Sequence, residues 1–463
     1  MKITEEYKKN GYFWLVEKPD NKMPGLLTVS EDGTVNLEVM GLLDAFEVVL
    51  NQKPKPNFRL GGLVDNGYVT LENCYYKNSN IKLGNESLSN CIIHVNYLLD
   101  GLWYGENEAV VFDSFEFTFD GLTEWLDKSS AEVDFSGDYR SGVLKFSQNA
   151  GIDYYLKEYK LEICFYSSYP LGATSTGFNL RQNAFIRIST NGNKQKLVDI
   201  HQIISKLYNL FCLAIDKSTS LLSLVCFNSD NTQDDESKRP VPVKIYFYSA
   251  CYSKTKLEIQ WFTNLFGFKE VESTFDVLLK NWLWGYEVYE PSLTLYFASK
   301  RASVSRYVED DFIYMVHALE SLHRRISDEA ELPQDEFKKL SKEITTSVDK
   351  MYKQLICKRL NYGNELSLLK RLKRIFSGLS EYGVMLKDYE DDFKKIKDTR
   401  NYLTHYDAKL SDKKANPQEM MLLTRKMEGL FQLYLLKELG FTATEIQTKI
   451  SNGHNQLRHK LGL

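Results

Sequence analysis

Apolar residues in this 463-residue chain follow two different rhythms, one after the other. Early on they alternate with polar residues. Val35-Asn36-Leu37-Glu38-Val39 follows a turn at Glu31-Asp32-Gly33, Tyr68-Val69-Thr70-Leu71-Glu72 follows Asp65-Asn66-Gly67, and Phe115-Glu116-Phe117-Thr118-Phe119 shows one strongly aromatic face. A two-residue period places one face of a strand against a core, and turn signals at short intervals suit a sandwich or barrel. From about residue 305 the period lengthens: Phe312, Met315, Val316, Leu319 and Leu322 form one helical stripe. The expectation is an α+β multidomain chain, a β-rich mixed N-terminal region followed by an all-α helical bundle. Its predicted boundaries are 1–150 (sandwich- or barrel-like), 151–304 (mixed α/β continuation) and 305–463 (helical).

In the mixed region, Lys160 to Tyr166, Ala184 to Ile188, Leu221 to Phe227 and Val243 to Tyr248 read as strands. Leu197, Ile200, Ile203, Ile204, Leu207 and Leu210 predict a helix over 195–215. The polar run from Asn228 to Pro240 reads as an exposed loop, a plain hairpin insertion in preference to a docking element. Further on, Pro333-Gln334-Asp335-Glu336 opens a second helix, Leu366, Leu369, Leu372 and Phe376 lie in a third, and Asp391 to Tyr406 and Pro417 to Leu439 make two more. Gly440 ends the last of these, and Thr442 to Ile450 predicts a short terminal helix.

Charge follows the same division. Residues 301–463 carry 29 Lys plus Arg against 24 Asp plus Glu, and the preceding 300 carry 29 against 38. A polyanionic partner is therefore expected at the C-terminal part, with a solvated helical surface as the alternative. The whole chain has a net charge of −4, which excludes a uniformly basic nucleic-acid coat. No run of 18 apolar residues occurs, so no membrane-spanning helix is expected. Seven scattered cysteines without a C-x-x-C pair, and a start (Met1-Lys2-Ile3-Thr4-Glu5-Glu6) without a leader's apolar core, suggest reduced thiols in a cytoplasm. Phosphate-loop, dinucleotide and H-E-x-x-H signatures are absent, as are Gly-Ser and G-x-S-x-G. His317 and His323 are six apart, a poor spacing for a metal on one helix face. No cofactor and no metal are expected.

One segment has the makings of a site: Asp398-Thr399-Arg400-Asn401-Tyr402-Leu403-Thr404-His405-Tyr406, within a predicted amphipathic helix. Asn401 and His405 are one turn apart and share a face. Arg400 stands roughly 140° around the helix from His405, so one helix makes an incomplete site. Two copies meeting across a two-fold axis would gather two arginines and two histidines around one groove. Such a groove suits RNA cleavage. The ribose 2′-OH is an internal nucleophile, an imidazole can move its proton, and a guanidinium matches the crowded phosphate oxygens. The alternative is structural: a half-buried histidine, and an arginine paired with an acid such as Asp398.

Arg400, Asn401 and His405 match, residue by residue, the Arg-x(4–6)-His pattern of HEPN ribonucleases, in which a polar residue often follows the arginine. The C-terminal part resembles a HEPN domain, and the stretch from Asp311 to Arg324 resembles the first helix of the ApeA-type subgroup. The N-terminal part resembles the ApeA N-terminal domain through Gly11-Tyr12-Phe13-Trp14, Pro24-Gly25-Leu26-Leu27, Gly62, Val69-Thr70-Leu71 with Cys74, and Trp282. The resemblance covers nearly the whole chain. It implies an anti-phage, abortive-infection protein whose HEPN domain cuts RNA, with transfer RNA a candidate by family analogy. It also implies a homodimer or higher homo-oligomer through the HEPN domain, a phage-encoded trigger, and an N-terminal region that senses infection and restrains the nuclease. Arg400 would stabilise charge on the phosphorane, His405 would transfer protons and Asn401 would position.

Glu320, in the earlier helix, is a secondary candidate, since HEPN nucleases can bring a polar or acidic residue toward the Arg and His; a helix-surface or interhelical ion pair with a nearby Arg or Lys is its other reading. Arg371, Lys373 and Arg374 could grip RNA phosphates or form a solvated face. Tyr75, Tyr76, Trp103 and Tyr104 could stack bases or a phage ligand, with core packing as the default. The rival function is a catalytically inactive HEPN module that binds RNA or dimerises, as a scaffold or antitoxin-like partner.

Overall fold

A computed structural model describes residues 1–463 except 42, 44–56, 66, 81–89, 136–139, 169–179, 234–237, 250–252, 254, 301–305, 384–388 and 454. The predicted turn residue Asn66, the centre of the 228–240 loop and Cys251 therefore lie outside the described residues. The chain forms two compact units, Met1–Asp276 and Val277–Leu463.

The first unit is built on a six-stranded barrel. Its strands are β1 (Tyr7–Leu15), β2 (Met23–Val29), β3 (Val35–Met40), β4 (Phe58–Val64), β5 (Gly67–Asn80) and β6 (Asn90–Asp100). They pair antiparallel in the order β6-β3-β2-β1-β4-β5, and β5 pairs back onto β6 to close the ring. Closure leaves no free edge among these strands. The alternation read from the sequence is the reason for the barrel. Phe13, Leu27, Val35, Leu37, Leu60, Val69, Leu71 and Ile93 point inward and are at most 1% exposed. Burying each such side chain contributes about 1.5–3 kcal/mol. Gly62 lies where an added Cβ would come within 2.7 Å of Phe13 and Val69, so a larger residue there would overfill the core.

β6 is long enough to serve two sheets. Its first half pairs with β3, and its last residues pair with Val243–Tyr246, Asp100 opposite Lys244. From there a second sheet continues through Leu221–Phe227, Ser114–Phe119, Arg181–Ser189, Lys160–Ser168 and Ile152–Tyr155. Helix α1 (Leu122–Leu126) and helix α2 (Leu197–Ile215) pack beside this sheet: Phe211 stacks on Phe119 at 5.6 Å and meets Trp125 edge-on at 5.5 Å. Leu221–Phe227 and Val243–Tyr246 pair directly, so the segment between them is a hairpin insertion. The aromatic residues singled out in the sequence divide: Tyr104 is buried, whereas Trp103 and Tyr75 are exposed.

Short helix α3 (Phe268–Val271) precedes α4 (Phe275–Lys300), so helical structure sets in ahead of residue 305. The second unit contains α5 (Val308–Ile326), α6 (Gln334–Ser347), α7 (Lys353–Leu360), α8 (Leu368–Ser377), α9 (Glu390–His405), α10 (Pro417–Leu439), α11 (Ala443–Ser451) and α12 (Gln456–Leu461). The α5 stripe of Phe312, Met315, Val316, Leu319 and Leu322 is buried as its spacing demands, and α10 packs along it. The ends of α10 are chemically marked. Asn416 caps its first turn with Glu419 reciprocating, and Gly440 takes the left-handed conformation after its last. Among the described residues no helix is long and apolar enough to cross a membrane.

Candidate functional site

Helix α9 holds the Arg-Asn-x-x-x-His segment. Glu390, Asp391 and Asp392 occupy its first turn, and His405 stands in its last, an order that suits the helix dipole. Phe393, Ile396 and Thr399 anchor its inner face. The buried Thr399 hydroxyl accepts the Ala415 N–H at 2.8 Å, tying the helix to the loop that enters α10. Arg400 is thereby set at the rim of the core.

The Arg400 guanidinium reaches across to α5. Its Nη2 donates to Glu320 Oε2 at 3.2 Å, and its Nη1 donates to Asn401 Oδ1 at 3.1 Å. The Glu320 side chain is 16% exposed and that of Arg400 25% exposed, so the pair lies where the dielectric is well below that of water. Arg400 Nε is buried without a hydrogen-bond partner among the described residues. Thus three of the four residues read from the sequence for the cleavage centre, Arg400, Asn401 and Glu320, come together. The fourth, His405, is exposed on the final turn of α9. After it, Tyr406 adopts φ +49°, donates its N–H to Tyr402 and is 73% exposed.

A second layer fixes Glu320. Its other oxygen accepts from Arg324 Nη2 at 3.2 Å, and Arg324 bridges on to Glu365 at 2.6 Å. Arg324 is within reach of the sequence as a nearby arginine for Glu320 on the same helix; Glu365 is not. The Glu320/Arg324 spacing of four was the readable signal for half of this bridge. The distant Glu365 gave none.

The basic run on α8 divides. Arg371 is buried, donating from Nε to the Leu366 carbonyl at 3.0 Å, and its Nη1 meets His323 Nδ1 at 3.2 Å. Arginine has no acceptor, so this contact makes His323 Nδ1 the acceptor of a neutral ring. Burial, and next the Arg371 charge, hold the His323 imidazole below its usual range. Arg371 is therefore turned into the protein. Lys373 and Arg374 remain on the surface, bridged to Glu390 at 2.9 Å and to Glu329 at 2.8 Å. Exposed pairs of this kind contribute only about 0–1 kcal/mol each. Among the described residues no group of three or more His, Cys, Asp or Glu is placed to hold a metal ion.

Two family models match the chain. ApeA N-terminal domain 1 covers residues 8–282, and Apea-like HEPN covers residues 313–445, which includes Glu320, Arg400, Asn401 and His405. No curated protein and no solved structure matches it. With an ApeA N-terminal domain over more than half its length and an Apea-like HEPN domain after it, the chain belongs to the ApeA family of anti-phage HEPN proteins.

Proposed function

We propose that this protein is a metal-independent endoribonuclease acting in abortive infection, cleaving RNA by attack of the ribose 2′-OH at a site completed by two HEPN domains. The observation that carries the reading is the state of the Arg400 side chain: Glu320 and Asn401 hold it near the C-terminal end of α9, about one and a half turns before an exposed imidazole. His405 takes the proton from the 2′-OH, or delivers one to the departing 5′ oxygen. The new bond joins the 2′ oxygen to phosphorus as the bond to the 5′ oxygen breaks. This leaves a 2′,3′-cyclic phosphate and a 5′-OH. Arg400 stabilises the extra negative charge on the phosphorane, and Asn401, on the His405 face, orients the guanidinium. DNA lacks the nucleophile and is spared.

A single α9 presents Arg400 and His405 on different sides, which favours a site assembled from two copies about a two-fold axis. Surface cations such as Lys373 and Arg374 guide the RNA backbone. Transfer RNA is the proposed substrate on family grounds. The N-terminal unit senses infection and restrains the nuclease, because an unrestrained ribonuclease would poison its own cell.

The test is RNA cleavage by purified protein in the presence of a chelator. Cleavage persists in the unaltered protein and is abolished in His405→Ala and in Arg400→Ala. RNA that is bound but never cut by any variant supports the rival reading, an inactive HEPN module. The Arg400–Glu320 ion pair is the observation in that reading's favour, since such a pair can also be purely structural.

A further inference from the structure

The outer wall of the barrel carries an apolar row where an alternating strand should show polar residues. Tyr12 of β1 lies opposite Pro24 of β2 on one side and Leu63 of β4 on the other, and Leu63 lies opposite Tyr68 of β5. Met40 extends the row at the end of β3, since its neighbour Val39 is in register with Gly25. These side chains are open to solvent: Tyr12 is 55% exposed, Met40 65% and Tyr68 50%. Their burial patterns show that the inward positions of the same strands are filled, so the row is not a displaced part of the core. A contiguous apolar patch of this kind marks an interaction surface.

Beside the row runs a groove of about 620 Å³ between Tyr12, Met40 and Leu63, with Glu38 and Asp65 in its walls. Among the described residues no lysine or arginine lines it. Neither carboxylate has an ion-pair partner among the described residues. Two carboxylates with no cation beside them among the described residues repel a nucleic-acid backbone, which requires the opposite arrangement. A second copy docked face to face would oppose these carboxylates to themselves across the two-fold axis. What the groove complements is an extended segment that offers apolar side chains to the row and positive charge to the walls.

We infer that the Tyr12–Leu63–Tyr68 row and the Glu38/Asp65 groove form a docking site for a cationic, apolar segment of another protein. This names a partner class for the sensing role proposed above. It is tested by binding and not by cleavage, so either reading can fail alone.

The probe is a short fluorescein-labelled peptide alternating lysine with leucine, titrated into the full-length protein and followed by anisotropy. Its counterpart with glutamate in place of lysine, and oligothymidylate, serve as controls. The lysine peptide binds, and added salt weakens it. Tyr12→Ser and Glu38→Lys each raise Kd by about tenfold. Both positions lie on the outer face, and circular dichroism verifies that the fold is kept. Glu38→Gln, which removes only charge, raises Kd less than Glu38→Lys. The inference is overturned if the lysine peptide does not bind, if its affinity is unchanged in these variants, or if the glutamate peptide or oligothymidylate binds as tightly.

Discussion

Replacing Glu320 by Gln removes the one negative charge that Arg400 and Arg324 share. Each guanidinium donates to a different Glu320 oxygen, both at 3.2 Å. A hydrogen bond to a charged partner contributes about 1.5–3 kcal/mol when protected from water. Here the Arg400 side chain is 25% exposed and that of Arg324 44% exposed, and solvent screening brings each interaction toward about 1 kcal/mol. The expected loss of stability in Glu320→Gln is therefore about 2 kcal/mol, half of it through Arg400. The direct assay is a double-mutant cycle in urea with Glu320→Gln and Arg400→Gln, alone and combined. Arg324 keeps its bridge to Glu365, so the cycle isolates the Arg400 arm. A coupling of about 1 kcal/mol is predicted. A coupling within about 0.3 kcal/mol of zero would refute the claim that Glu320 holds Arg400 in place.

Thr399→Ala should destabilise by about 1–3 kcal/mol by stranding the buried Ala415 N–H, a loss read in the same urea titration. Arg374→Gln should flatten the salt dependence of RNA binding, whereas Arg371→Gln should lower the melting temperature and leave that slope unchanged. Burial, and next the chain's own amino terminus, push the His201 imidazole down to about 4 from 6.5. The unfolded chain then binds the proton more readily, so stability is intact above about pH 6.5 and falls as the pH drops toward 4. The deficit there approaches about 3 kcal/mol. In His201→Phe the difference in urea midpoint between neutral and acidic solution should shrink; an unchanged difference contradicts the assignment.

Local patterns in this sequence were legible, and long-range pairings were not. Alternation located β3, β5 and the Ser114–Phe119 strand because each buries one face. It could not show that β5 returns to β6, since barrel closure rests on partners distant in sequence. Helix α5 was readable from its stripe and α10 from its caps, but α7 and α12, with eight and six residues, are too short for a period to register. Helix α4 is apolar on many sides and contains Pro291, two features that speak against a 26-residue helix when only sequence is in view. At the site, the motif gave Arg400, Asn401 and His405 together. The partnership of Arg400 with Glu320, 80 positions away, depends on how α9 crosses α5. Arg371 was legible in principle. It shares a face with Leu368, Leu372 and Ile375, all buried, and the charge of its neighbours hid that register.

The central claim is that the ribose of the substrate supplies the nucleophile under the direction of Arg400 and His405. The most direct measurement compares an RNA cut by the purified protein with the same RNA carrying a single 2′-deoxy nucleotide at the cleavage position, the ends being identified by mass spectrometry. The account predicts a 2′,3′-cyclic phosphate, or its hydrolysed product, from the first and no cut at that position in the second. Efficient cleavage of the 2′-deoxy substrate, or a 5′-phosphate on the downstream fragment, would contradict it.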